Sequence, residues 1–486
     1  MAKSRFASAA FWSIAGSGVQ YGVVFLLLVY LAQVLTPRDF GLMATVTIGL
    51  DLGTRIARWG QAELLQQKRY RNDEALNQSF RFSLVIGAVW TVIFVIMAHP
   101  LGEIYKSPEL ATLTFMCAPV FLFSATSATA EAVLRREFRY DVIAFRNTIS
   151  TLLGAGVAIV MTCYHFGAEA LAMQRIVQTA FSAIWIWTAV DWRPTFKWRV
   201  SPVPGLAREG TNIMAGTLMP LLVPRAIDLF VGFTMGPVQL GLMRVAFRIN
   251  DFVGQLVLMP LVGVANTQLS TQTDDLQGMQ RSYLRLTQAS VALMCPMLIG
   301  LSLVAPEAIP IIFGEKWIAC VPFVQVIGLL GVVAPINYYF SPSMMALGQS
   351  RMVFRQGVLQ VVVGVVLAGI AAQISLLAVA VAHVARGTIV AGHNIVDLRR
   401  HMKLRFTSLL TWLAPPYLGT IVMSAAVLGL RNMLHGGHPP LVMLLILVPA
   451  GASSYAATIW LGGHMRLWPV HANMVPRRFQ RLGAQA

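Results

Sequence analysis

Charge is scarce in this chain. Asp, Glu, Lys and Arg make up 12% of its 486 residues, about half the share in an ordinary globular domain. That dilution excludes a string of soluble domains, whose surfaces need far more charge. Acid is scarcer still, with 20 Asp and Glu against 37 Lys and Arg and a net charge of +17. Cysteine is nearly absent. Cys117, Cys163, Cys295 and Cys320 are scattered, without the spacing of a metal site, and read as free thiols in or near helices. No metal and no other cofactor is expected. Long polar stretches are missing too, so no soluble domain interrupts the chain.

What the chain has is apolar length. Hydrophobic residues make up 56% of it. Val23–Ala32, Leu84–Ala98, Leu359–Ala372 and Leu441–Ala450 sit inside longer uncharged runs, and about 20 such residues span a bilayer as a helix. The first run follows Lys3 and Arg5. It is too long for the apolar part of a signal peptide and lacks a small-x-small exit, so it reads as a retained first span. Spans are predicted near residues 10–32, 40–62, 82–99, 111–133, 143–165, 170–190, 211–233, 240–263, 286–309, 321–347, 353–373, 375–396, 407–430 and 440–462, fourteen in all. Turn chemistry marks the breaks, in "TPRDFG", "HPLGEIYKSPEL", "MGPVQ", "FGEKW" and "HGGHPP".

The basic residues test this count. With the N-terminus cytoplasmic, 26 of the 37 Lys and Arg fall in inner segments, counting Arg146 and Arg355 at the inner edges of their spans, four in outer loops (Arg38, Lys106, Lys316, Arg431) and seven deeper within spans. An asymmetry that alternates at every crossing orients the chain with both termini inside. It also accounts for the net charge without a nucleic-acid partner.

Two stretches echo each other. "LAQVLTPRDFGLM" (31–43) and "VGFTMGPVQLGLM" (231–243) place Pro37 and Pro237, Gly41 and Gly241, Leu42 and Leu242, and Met43 and Met243 at one offset of 200. Asp51 and Asp251 keep that offset. "HPLGEIYKSPEL" faces "APEAIPIIFGEKW", and "AVLRREFRY" faces "MALGQSRMVF", in the same order. A repeat of six helices is even, so both copies enter the membrane in one direction, related by a pseudo-two-fold axis along the membrane normal. The expected fold is therefore an all-α polytopic membrane protein. Its parts are an N-lobe over 1–200, a C-lobe over 201–405, and two further helices with a basic cytoplasmic tail over 406–486.

On "LAQVLTPRDFGLMA", "LRREFRY" and this layout the chain resembles the multidrug/oligosaccharidyl-lipid/polysaccharide exporter superfamily, on its polysaccharide-transporter, Wzx-like flippase branch. It departs from that branch at Arg38, where an acid is common. The resemblance implies a flippase in the bacterial cytoplasmic (inner) membrane. Its cargo is a polyprenyl-pyrophosphate-linked oligosaccharide for exopolysaccharide, O-antigen or capsule synthesis, carried by alternating access. The implied partners are that lipid-linked oligosaccharide, membrane lipid, and polysaccharide polymerase and chain-length proteins.

Seven arginines lie within the predicted spans away from the inner-edge pair Arg146 and Arg355: Arg55, Arg58, Arg175, Arg225, Arg244, Arg248 and Arg386. Each costs roughly 3 kcal/mol at a lipid-facing helix centre, so most must face a cavity or a partner. Asp51, Arg55 and Arg58 fall on one stripe, Arg244, Arg248 and Asp251 on another, Arg225 and Asp228 on one face, and His383, Arg386 and His393 on one face. Two readings stay open. In one, ion pairs hold helices together, Arg225 with Asp228 above all, while Arg58 snorkels to the inner interface. In the other, Arg55, Arg175, Arg244, Arg248 and Arg386 line a cavity for an anion, because a guanidinium fork grips phosphate oxygens at any relevant pH. Asp51, Asp228, Asp251, His383 and His393 are then ion-pair or proton-coupling candidates. Trp185, Trp187, Trp192 and Trp317 read as an interfacial belt, and Tyr338 and Tyr339 as aromatics that could stack on sugar.

Three rivals are weighed against the flippase. A multidrug antiporter of the same superfamily usually needs an acid early in its N-lobe, and the first span has none. A lipid II flippase places an arginine in that span, which is absent. A membrane-embedded polysaccharide polymerase typically needs a large outer loop, also absent, so no enzymatic activity is expected.

Overall fold

Short motifs fix where the helices of this chain begin. In the computed structural model, which describes residues 20–70, 72–195, 203–270, 275–434 and 439–464, α1 (Gln20–Val34) leads into α2 (Pro37–Arg58). Thr36 caps α2. Its Oγ1 accepts from the Asp39 backbone N–H at 3.3 Å, and Asp39 Oδ2 accepts from the Thr36 N–H at 2.8 Å. This is a capping box with proline at the first helical position, where its missing N–H costs nothing. The second copy of the motif starts its helix differently. Gly236 (φ 82°) breaks α9 (Leu206–Ser270) with a backbone conformation that favours glycine, and Pro237 begins the next helical stretch.

The remaining elements are helices as well. They are α3 (Gln61–Leu64), α4 (Asp73–Ile104), α5 (Pro108–Cys117), α6 (Val120–Arg136), α7 (Tyr140–Cys163), α8 (Ala168–Ala189), α10 (Leu276–Phe313), α11 (Val321–Ile327), α12 (Leu330–Tyr338), α13 (Phe340–Ala346), α14 (Ser350–Ala371), α15 (Leu376–His401), α16 (Phe406–Met433) and α17 (Pro440–His464), with 3-10 turns at Lys68–Tyr70 and Glu315–Cys320. Several overrun their predicted spans. Asn72 Oδ1 caps α4 ten residues before its predicted span, so polar first turns are helical too.

Among the described residues, ten helices are long and apolar enough to cross a membrane. There are eleven if Glu315–Ile327 and Leu330–Ala346, bent by 55°, form one span. The shortfall from fourteen has identifiable sources. The first span is described only from Gln20, α8 carries Glu169, Gln174, Arg175 and Gln178, and the two spans within α9 run together at Gly236. Lipid is the solvent these helices match. Val85, Val92 and Ile96 of α4 are 61%, 56% and 65% exposed, a face that water would penalise.

Contacts divide the chain into two compact units. One runs to Val245 and includes Ala368–Ile374, and the other comprises Ala246–Leu367 and the chain from Ser375. In the first unit, Leu42, Val46 and Leu50 of α2 pack one turn apart against Phe94, Leu110 and Phe121. A second core gathers Trp59, Leu64, Tyr70, Val133 and Ile186. The tightest crossing belongs to the repeated motif. A Cβ added at Gly41 would lie 1.7 Å from the Pro237 carbonyl oxygen, and one at Gly241 would lie 1.8 Å from that of Pro37. Each glycine thus seats the other copy's proline turn.

The second unit is built around Tyr283, Tyr339, Phe340, Met344, Leu398 and Leu413. Tyr283 donates to the Ile336 carbonyl at 3.0 Å, and the Tyr339 hydroxyl meets Ser290 Oγ at 2.6 Å. Two aromatic readings are corrected here. Tyr339 is wholly buried with its hydroxyl satisfied, so it presents no face to a sugar, while Tyr338 stays 44% exposed. Trp317, expected in an outer belt, is fully buried: the Glu315–Cys320 turn tucks it inward.

Candidate functional site

In the first unit α2, α6, α7 and α8 enclose a cavity of about 450 Å³. Its wall is polar. Asp51, Arg55 and Arg58 reach it from α2, Glu131 and Arg135 from α6, Arg146 from α7 and Arg175 from α8. Serines 124, 127, 150 and 182 and Gln178 are among the other lining residues, and Gln20 comes from α1. Five arginines face two carboxylates there, an excess of three positive charges.

Asp51 does not pair with Arg55, its neighbour one turn along. It accepts from Arg175 Nη2 at 3.4 Å and from Arg225. Arg225 also donates to Asp228 at 2.8 Å, and Arg244 donates to the same Asp228 oxygen at 2.5 Å. The result is a ladder of alternating charge, Arg175–Asp51–Arg225–Asp228–Arg244, across α8, α2 and both stretches of α9. Asp228 is 1% exposed. A buried carboxylate between two guanidiniums is balanced only while both remain. Arg55 stands outside the ladder, exposed to the cavity, and forms no ion pair among the described residues.

A second charge cluster was not singled out in the sequence. Glu131, 4% exposed, accepts from Arg135 Nε and Nη2 at 3.1 and 2.7 Å, from Arg146 Nη2 at 3.1 Å, and from Arg58. The charge pattern of the sequence places Arg135 and Arg146 with the inner basic segments, and Arg58 at the inner interface. The structure instead holds all three in helices around one carboxylate. The Glu131–Arg135 spacing, i to i+4 on a helix, was the signal available.

The second unit holds the other predicted residues. Arg248 and Asp251 are exposed neighbours on α9. His383 lies 3.4 Å from Arg386 and edge-on to Phe247, with ring centroids 4.9 Å apart. His393 does not join them. It approaches Asp397 at 3.4 Å, and Asp397 also accepts from Arg355 at 2.6 Å. Among the described residues no three His, Cys, Asp or Glu side chains are placed to hold a metal.

A cavity with surplus guanidinium and hydroxyl-bearing walls can hold an anionic, hydroxyl-rich head group. The model of the polysaccharide biosynthesis protein family matches residues 30–322. The succinoglycan biosynthesis transport protein ExoT of Rhizobium meliloti (strain 1021) is 22% identical over 344 residues, 71% of this chain and 69% of that protein. The lipopolysaccharide biosynthesis protein WzxC of Escherichia coli (strain K12) is 21% identical over 347 residues, 71% of this chain and 70% of its own length. Among solved structures, the lipid II flippase MurJ in an inward closed conformation matches with a TM-score of 0.75 at 11% identity, over 93% of this chain and 100% of that one. That last likeness is one of fold.

Proposed function

We propose that this chain, which belongs to the polysaccharide biosynthesis protein family, flips a lipid-linked oligosaccharide across the cytoplasmic membrane during polysaccharide assembly. The observation that carries the reading is the arginine excess of the first unit's cavity, whose walls α2, α6 and α7 belong to helices long and apolar enough to cross a membrane. Relatives named for succinoglycan transport and lipopolysaccharide synthesis support the cargo class. The protein is a multi-pass membrane protein, read as a transporter rather than an enzyme. A polyprenyl tail prefers lipid by roughly 25 cal/mol per Å² of apolar surface. It stays in the bilayer, along α16 and α17, while the head group crosses inside.

The finer reading keeps fourteen spans, with the repeat in 1–200 and 201–405, two further helices and a tail in 406–486, and both termini cytoplasmic. Polymerase and chain-length proteins are its proposed partners. Arg55 and Arg175 are the proposed head-group contacts in the first unit. Arg244 shares that role with its ladder bond, and Arg248 and Arg386 are the contacts proposed in the second. Asp51, Asp228, Asp251, His383 and His393 are the ion-pair or coupling groups.

Two outcomes test this. The purified full-length protein in vesicles should move a polyprenyl-pyrophosphate oligosaccharide between leaflets; failure to do so would sink the reading. Arg55→Gln removes a cation that forms no ion pair among the described residues, so abundance should not change. Transport should fall roughly tenfold to a hundredfold, the worth of one charge-assisted hydrogen bond of about 1.5–3 kcal/mol, and Arg55→Lys should restore part of it. Orientation is checked separately. Cysteines introduced as Arg69→Cys and His401→Cys should resist an impermeant reagent added outside intact cells, and ready labelling would overturn the topology.

A further inference from the structure

The cavity holds two charge centres. One is Asp51 with Arg175, and Arg55 lies one turn along α2. The other is Glu131 with Arg58, Arg135 and Arg146. Arg55 and Arg58 are three residues apart on α2, about 4.5 Å along the axis, while Arg175 comes from α8 and Arg146 from α7. The two centres therefore adjoin, and one head group can touch both.

Neither centre is satisfied. Arg55 has no ion pair among the described residues. Around Glu131, three guanidiniums share one carboxylate, leaving two positive charges over. Arg146 is 4% exposed, and its Nη1 is buried on the cavity wall without a hydrogen-bond partner. An unpartnered donor on a buried cation is costly, and an anion that accepts from it removes the cost. Glu131 already displays the kind of group this cluster accepts, since a carboxylate oxygen takes two N–H bonds from Arg135 alone.

We propose that the Glu131 cluster is a second anion station, built for an acidic group on the sugar chain, while the Arg55 and Arg175 end takes the pyrophosphate. The inference rests on the flippase reading and narrows it. The cargo is an oligosaccharide that carries a carboxylate, or an equivalent anionic substituent, a short way from its pyrophosphate. One anion in the cavity would leave one centre without an acceptor, whereas two anions on one molecule give each centre one. The 450 Å³ of the cavity accommodates a head group of that kind.

The test uses the purified full-length protein and two synthetic polyprenyl-pyrophosphate oligosaccharides that differ in one residue, a glucuronate in one and glucose in the other. The unchanged protein should bind the acidic one more tightly, by on the order of tenfold or more. Arg146→Gln should bring the ratio of the two affinities to about one. Arg58→Gln, at a side chain 39% exposed and therefore easier on folding, should do the same. Equal binding of both ligands by the unchanged protein overturns the second station. So does a preference that survives both substitutions, which would make the cluster a structural node. Binding of neither ligand overturns the flippase reading itself and the station with it, a result distinct from equal binding of the two.

Discussion

Asp228→Ala should destabilise the protein by about 3–5 kcal/mol, the usual loss when one partner of a buried ion pair is removed. Asp228 is almost wholly buried, and two guanidiniums share one of its oxygens. Alanine leaves Arg244 without its ion-pair partner among the described residues. Arg225 fares better, because Asp51 still holds it. That difference supplies a control. Asp228→Leu combined with Arg244→Met removes the acid and the stranded base together and keeps the Arg225–Asp51 pair. Apolar replacement of a whole buried pair is often neutral or stabilising, so the double variant should recover most of the loss. Thermal unfolding of the purified protein reads both. A double variant no more stable than Asp228→Ala would mean that the ladder acts through its hydrogen-bond geometry rather than its charge balance.

The ladder also shows what a linear sequence carries and where it stops. Helical periodicity places Asp51 and Arg55 on one stripe, and that placement is correct. Pairing does not follow from it, because Arg175 and Arg225 approach Asp51 from other helices. Periodicity cannot say which helices are neighbours. The i, i+3 pair of Arg225 and Asp228 was legible because both partners sit on one helix. Glu131 was missed for a different reason. "EAVLRREFRY" looks like the end of a span followed by a basic loop, and a hydropathy reading stops at the first dense charge. The helix instead runs on to Arg136, and the next begins at Tyr140, which turns loop charges into cavity charges. The 200-residue echo was legible as spacing alone. Its physical content, two turns seated on each other's glycines, needed the third dimension.

Gly41→Val should abolish export and lower the unfolding temperature sharply. The reason is distance. A Cβ at Gly41 would sit 1.7 Å from the Pro237 carbonyl oxygen and 2.4 Å from its carbon. These are backbone atoms at the start of a helix, which no rotamer change can move aside. Ordinary overpacking costs about 1–3 kcal/mol where side chains can yield, and here they cannot, so the loss should exceed that range. The reciprocal position supplies the matching prediction. Gly241→Val should fail in the same way, since its Cβ would meet the Pro37 carbonyl at 1.8 Å. Gly156 in α7 is the control, because a Cβ there meets nothing within 4 Å. Gly156→Ala should leave export intact and, on helix propensity, stabilise by up to about 1 kcal/mol. If Gly41→Val behaves like Gly156→Ala in both export and unfolding, the two proline turns are not held against each other. The repeated motif would then serve only to start two helices.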